Sequence, residues 1–335
     1  MFSKDPFTIS YSQAAMRSMA LLEPNLVMPE ILERAYSGLE VVNETHRTTA
    51  VMTMLSAVSL PLVTERLYLG GQKHVVPLLE LCIPGIDLVG RFAFQVPVLS
   101  PDHIHSAQND PVKTICATMF ISSVVQHIKI ADVSMHQVGV DLSSDAPAED
   151  VMDIETTELP AGVDSPTIPT LSREEERALA RESTAGFADW VTSLFRRVLA
   201  LFENLPEEGG KKGTTGGKVE EAVLKAIKGA LDTVCLHLSD ALFDLVLKLV
   251  FDYASTNAKS NAVRAFGQLV SCLARVKPEK TIDKFLPFCI AQIQDELKHG
   301  ASSIRTTSTH EAVPSDTTLH WSAYSMKAPS MLSNF

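Results

Sequence analysis

No stretch of the sequence reaches eighteen uninterrupted apolar residues. The longest candidate, Leu236 to Val250, carries His237, Asp240, Asp244 and Lys248, so it reads as a buried helix and not as a membrane span. The opening residues, MFSKDPFTISYSQ, have no apolar core behind a basic start and do not make a signal peptide. Cysteine is sparse and never paired as Cys-x-x-Cys. Cys82, Cys116, Cys235, Cys272 and Cys289 each lie in an apolar run, which predicts buried thiols in a reducing, intracellular setting and argues against a disulfide framework or a structural zinc site. Aromatic residues make up only 6%, carried by 14 Phe with 2 Trp and 5 Tyr, and no basic run is interleaved with them, so direct nucleic-acid binding is not expected.

The signatures of catalysis are missing as well. There is no His-Glu-x-x-His, no Gly-x-Ser-x-Gly elbow, and no kinase or dinucleotide fingerprint. The segment PEEGGKKGTTGG at 206–217 has Gly and Lys but not the GxxxxGK[ST] order, and no strand precedes it. His103 and His105 are the only close histidine pair. Cys235 and His237 are two apart on a helix, which turns them to different faces. Glu207–Glu208 and Glu220–Glu221 are adjacent acids without the spacing of a catalytic carboxylate pair. Arg196–Arg197, Lys211–Lys212 and Lys277/Lys280/Lys284 read as solvated faces or salt bridges. No catalytic, cofactor-binding or metal-ligating residue is therefore expected, no cofactor is expected, and an enzyme is disfavoured.

What is present is a chain of 335 residues, 45% hydrophobic and with a net charge of −11, enough for one large or two ordinary domains. The charge is local: between Asp141 and Glu182 twelve acidic residues face three arginines. Residues 136–171, rich in acid, Pro, Ser and Thr, are expected to be a disordered linker, with Ser165 before Pro166 as a phosphoacceptor candidate. Ser172 with Glu175 three positions on forms a capping box, and an apolar stripe from Phe187 to Phe202 follows it.

Helices dominate the remainder. One is expected from Pro29 (EILERAYSGLEVVN), another from Thr45 with a kink near Ser59 forced by Pro61, and a short one over HVVPLLELCI with Pro77 in its first turn. Asp110 and Pro111 open a run of about twenty helix-like positions. Val219–Val250 should break once between Leu236 and Ser239, and Asn257–Arg275 should pair with Pro278–Leu297 through a Val-Lys-Pro turn. In that hairpin Val263, Phe266, Leu269, Val270 and Leu273 face Ile282, Phe285, Leu286, Cys289, Ile290 and Ile293. A helix pair with one apolar side per helix is the unit of a HEAT-type solenoid. The expected fold is thus all-α: a HEAT-like α-solenoid of antiparallel helix pairs interrupted by an acidic linker. The segments are 1–135 with an irregular insert at 89–108, the linker 136–171, a second helical segment 172–299, and an irregular tail 300–335. The insert has two prolines, two histidines and two phenylalanines without helical period; its length and codon boundaries fit a retained intron, with an edge strand or hairpin as the alternative. The apolar helices at both flanks look orphaned, as in a piece of something larger.

Several stretches in order, THRTTAVMTMLSAVSLPLV at 45–63, LLELCIPGIDL at 78–88, NDPVKTICATMFISSV at 109–124, WVTSLFRRVLALFENLP at 190–206, FDYASTNAKSNAVRAFGQLVSCLAR at 251–275 and ELKHGASSIRTTSTHEAVPSDTTLHW at 296–321, resemble the middle HEAT-repeat region of the proteasome activator subunit 4 family, in a fungal-like version. The resemblance implies a segment of a non-enzymatic regulator that docks on the 20S proteasome core particle and promotes ubiquitin-independent degradation of peptides and proteins. It further implies a nuclear and cytoplasmic protein linked to acetylated histones and DNA repair. Two departures stand out. Residues 89–108 separate PGIDL from NDPVKT, and the sequence closes on Ser333-Asn334-Phe335 without the penultimate tyrosine of the family's gate-opening tail. The alternative is a general HEAT scaffold of the nuclear-transport type.

Overall fold

The computed structural model describes residues 5–40, 45–86, 111–134, 172–203, 218–256, 263–298 and 322–323. The insert at 89–108, the linker 136–171, the 206–217 loop and most of the tail therefore lie outside the described residues, as do Asp110, His103, His105 and His136.

Twelve helices form among the described residues. The first is α1 (Pro6–Leu22), whose N-cap Asp5 accepts the Thr8 N–H at 2.9 Å and whose first residue is proline, a position that needs no donor. Next come α2 (Pro24–Leu39) and α3 (Thr45–Ala57). The expectation that α2 starts at Pro29 is corrected. The helix starts a turn earlier, on Pro24, and carries Pro29 inside it. A proline so close to the N-terminus removes only one backbone bond, and the burial of Met28, Ile31, Leu32 and Ala35 offsets that loss.

A turn at Val58 separates α3 from α4 (Ser59–Val63), the break that Pro61 requires. The chain then turns through 64–70. Glu65 organises this turn by accepting the N–H groups of Gly70 (2.5 Å) and Gln72 (2.9 Å), while the Gln72 amide donates to Val63 O at 2.7 Å. Gly70 has φ +85°, and a Cβ on Gly71 would lie 2.4 Å from Leu62 O, so neither position admits a side chain without strain. A 3-10 turn, Gly71–His74, leads into α5 (Val75–Cys82), with Pro77 in its first turn, and a second 3-10 turn, Ile83–Gly85, ends it.

Helix α6 (Pro111–Val125) is shorter than the twenty positions expected and gives way to a turn at 126–128. The polar residues Gln126 and His127, both exposed, replace the apolar run there. Then follow α7 (Arg173–Thr184), α8 (Phe187–Glu203), α9 (Lys218–His237), α10 (Asp240–Thr256), α11 (Val263–Val276) and α12 (Pro278–Lys298). The expected Ser172 box forms: Ser172 Oγ accepts the Glu175 N–H at 3.3 Å, and Glu175 Oε2 accepts the Ser172 N–H at 2.8 Å. The α9–α10 break falls at Leu238–Ser239, and Lys277 alone separates α11 from α12.

The packing sorts these helices into two rows. α1, α3, α6, α9 and α11 touch in succession, and α2, α5, α8, α10 and α12 do the same alongside them. Chain order alternates between the rows, so the array is a stack of helix pairs: an α-solenoid of HEAT type. One continuous apolar cluster runs through it, from Ala20 in α1 to Phe285 in α12. Helix α6 is its spine, packed between α3 and α9. Ala117, Phe120, Ile121, Val124 and Val125 are wholly buried, and its buried hydroxyls turn back on the helix: Thr118 Oγ1 donates to Thr114 O at 3.0 Å. Thr114 Oγ1 instead donates to Gly85 O at 3.1 Å, and Arg197 of α8 donates to Ile86 O at 2.8 Å, so the end of the α5 region is tied to both rows.

The α11–α12 hairpin is as expected on the α11 side, where Val263, Phe266, Leu269, Val270 and Leu273 are all buried. On α12 only Phe285 and Cys289 of the six residues assigned to the answering face are buried. Leu286 and Ile290, assigned to the same face, are 37% and 40% exposed. They sit one residue, 100° of helix rotation, beyond Phe285 and Cys289, outside the stripe that α11 covers. Replacing Phe266 by Ala should lower unfolding stability by about 3–5 kcal/mol, and Leu269→Ala by about 2–5 kcal/mol, in chemical denaturation. A loss near zero would disprove that these side chains are core.

Candidate functional site

The described histidines are all accounted for by structure. His46 and His127 are exposed. The Tyr36 hydroxyl and His74 Nδ1 share a hydrogen bond of 2.9 Å between α2 and the turn before α5, and burial together with Lys73 holds the His74 imidazole below its ordinary value. His237 Nδ1 lies 2.9 Å from Ile128 O; a carbonyl only accepts, so Nδ1 carries the proton. Cys235 is wholly buried on the other side of α9, and the two do not form a dyad. No group of three metal-binding side chains occurs among the described residues. Cys82, Cys235, Cys272 and Cys289 are buried, and burial pushes their thiols up, that of Cys289 to about 11. Cys116 departs from the expectation: it is half-buried and accepts from Thr53 Oγ1 at 3.6 Å.

One shallow cleft opens between α8, α9 and α11, lined by Phe202, Ile227, Lys228, Leu269 and Cys272, with about 10 Å³ of space, roughly one water molecule. It is far below the size of a small-molecule site. Asp232 stands beside it. Burial pushes its carboxyl up, but hydrogen bonds from Cys272 and from Lys228 (2.8 Å), and the charges of Lys228 and Arg275 (3.0 Å), outweigh burial and hold it below the ordinary carboxylate value. The group cross-links α9 to α11.

The remaining candidates are surfaces. Lys277 pairs with Asp240, Lys280 contacts Asp244 at 2.6 Å, and Lys284 lies over the Phe251 ring at 4.8 Å. The three lysines thus act as salt bridges and a cation–π contact that register α12 on α10, not as a patch for acidic partners. Phe251 also meets Phe285 and Phe288 edge to face, at 5.4 Å and 5.3 Å between centroids. Outward-facing apolar residues collect at the two ends of the array: Phe7, Tyr11, Leu22 and Leu26 on α1–α2, each more than 70% exposed, and Leu286, Ile290 and Leu297 on α12. The spacing of Leu286 and Ile290 was visible in the sequence, but which side of α12 each takes depends on where α10 and α11 lie.

A molecule of this build, two rows of paired helices around one continuous apolar cluster, is an α-solenoid scaffold, and what it offers a partner is helix surface. The profile of the proteasome activator complex subunit 4 mid HEAT-repeats region matches residues 1–89 and 107–329. The chain belongs to this family. It is similar to proteasome activator complex subunit 4 of Xenopus laevis, 28% identical over 299 residues that cover 86% of this chain and 13% of the relative. It is likewise similar to the Homo sapiens protein of that name, 27% identical over 303 residues covering 88% of this chain and 13% of the relative. The proteasome activator subunit 4 of Arabidopsis thaliana is 21% identical over 310 residues, 89% of this chain and 14% of the relative. The chain thus spans about an eighth of the length of these relatives.

Two measurements test the electrostatics. Asp232 has its carboxyl depressed in the folded state, so its contribution to stability is present above the unfolded value of about 3.8 and is lost as pH falls through the lower folded value. Asp232→Asn should therefore be less stable than wild type at neutral pH, and the gap should close below about pH 3.8; a gap independent of pH would refute the assignment. A double-mutant cycle on Lys280 and Asp244, whose side chains are 45% and 54% exposed, should give a coupling of about 0.2–1 kcal/mol that shrinks with added salt.

Proposed function

We propose that the protein is a structural part of a proteasome activator: a non-enzymatic α-solenoid that docks on the 20S core particle and promotes ubiquitin-independent degradation of peptides and proteins. The match of the family's mid HEAT region across both helical segments carries the reading. The physical character of the array supports it. The functional part of such a protein is an extended wall of paired helices, and the conserved currency of a wall is packing: a continuous apolar cluster from α1 to α12 and few charged groups inside. The related roles in acetylated-histone turnover and DNA repair, and a distribution over nucleus and cytoplasm, are part of the same proposal and rest on the family resemblance alone.

Affinity purification of the protein from the cells that express it should recover core-particle subunits. Retrieval of the folded protein without any core-particle subunit would overturn the proposal and favour a general HEAT scaffold.

A further inference from the structure

Helix breaks are where a solenoid is weakest, because each leaves backbone groups of two helix ends without intrahelical partners. Two such breaks, the α7–α8 turn at Ala185–Gly186 and the α9–α10 break at Leu238–Ser239, lie about fifty residues apart in sequence and in different helix pairs. One short extended segment serves both. Ile130, wholly buried, donates its N–H to His237 O at 2.8 Å and accepts the Ser239 N–H at 2.8 Å, the single β-bridge of the described residues. Two positions on, the Asp132 carboxylate accepts the Ser134 N–H (3.0 Å) and hydroxyl (2.5 Å), and the backbone N–H groups of Gly186 and Ala188, beside the start of α8, lie near enough to help Ser134 hold that carboxyl below its ordinary value against the upward push of burial. Between them, the Val133 N–H donates to Thr184 Oγ1 at 3.2 Å, and the Thr184 hydroxyl donates to Ala180 O at 2.7 Å, at the last turn of α7.

We propose that Ile130–Ser134 is a coupling strap: it ties the end of α7 and the start of α8 to the α9–α10 break, so that the two breaks open and close together. The segment is only five residues long, about 13 Å at full extension, so it has little slack to absorb a displacement at either end. At its other end α7 is closed by the box of Ser172 with Glu175. Helix α7 is thus tied at both ends, by the capping box and by the strap. It needs both ties, since Glu174–Ala178 are exposed and only Ser183 is buried along its length. The inference does not depend on which partner the solenoid binds.

Hydrogen exchange read by mass spectrometry on the intact protein tests the coupling. Asp132→Asn should speed exchange at residues 186–188, its own partners, and also at 237–239, by on the order of tenfold. The reciprocal variant, Ile130→Ala, should speed exchange at 186–188 as well as at 237–239, since coupling between two sites is mutual. Thr184→Val keeps the side-chain shape and removes the acceptor for Val133 together with the bond to Ala180 O inside α7, so it should raise exchange at both breaks even if a harsher variant fails to fold. Thr233→Val, which removes a bond internal to α9, should change neither. Faster exchange confined to the mutated end in all three strap variants would overturn the proposal.

Discussion

Helix α6 buries seven of its fifteen residues between two neighbouring helices, and the array is built on that fact. A surface helix buries one stripe and spends the rest of its circumference on solvent, but α6 is packed between α3 and α9 and presents Ala117, Phe120, Ile121, Val124 and Val125 to them with no exposure. The buried side of such a helix adds apolar area to two interfaces at once, and it imposes a strict demand on its polar groups, because a hydroxyl there has no water to fall back on. Thr118 meets that demand within the helix and Thr114 meets it on the carbonyl of Gly85. The second solution matters more for the fold, since it joins the end of the α5 region to the spine. The rows of helices on either side are then positioned by contact with a single rigid element.

Local chemistry announced much of this plan. Pro61 marks the α3–α4 break, Ser172 and Glu175 write the start of α7, and the spacing of Phe187, Trp190, Leu194, Phe195 and Val198 names the buried face of α8, which is buried as expected. Single-residue features of this kind depend on neighbours within four positions, and those are in the sequence. The features that were missed depend on distance in space. Pro29 reads as a helix start until the apolar face of α2 outweighs one missing bond and carries the helix back to Pro24. Leu286 and Ile290 read as core until the position of α11 decides where the covered stripe ends. The bridge of Ile130 to Leu238 joins residues more than a hundred positions apart, and nothing in ADVS signals it. As for a functional site, the sequence pointed to an absence of catalytic groupings and to a family. The surfaces that the fold leaves exposed follow only from the packing.

The charged groups complement the apolar core instead of competing with it. Lys277, Lys280 and Lys284 sit at one-turn intervals and meet Asp240, Asp244 and the Phe251 ring on the neighbouring helix. Pairs this exposed add little free energy, and because Asp240 and Asp244 are themselves one turn apart they favour the observed alignment over a one-turn shift only weakly. Asp232 performs a related task further in, where it collects Lys228, Arg275 and the Cys272 thiol and so fixes α9 against α11. Apolar burial supplies the attraction between helix pairs, and the ion pairs add cross-links between neighbouring helices.

The buried thiols turn out to be distributed with one in each of four helices: Cys82 in α5, Cys235 in α9, Cys272 in α11 and Cys289 in α12. A thiol that is both out of water and held in its protonated form reacts with an alkylating reagent only while its helix is open. The chain therefore carries its own set of clocks. The labelling rate of each cysteine times the opening of one layer of the stack, and comparison of the four separates a solenoid that frays from its ends from one that melts as a single body.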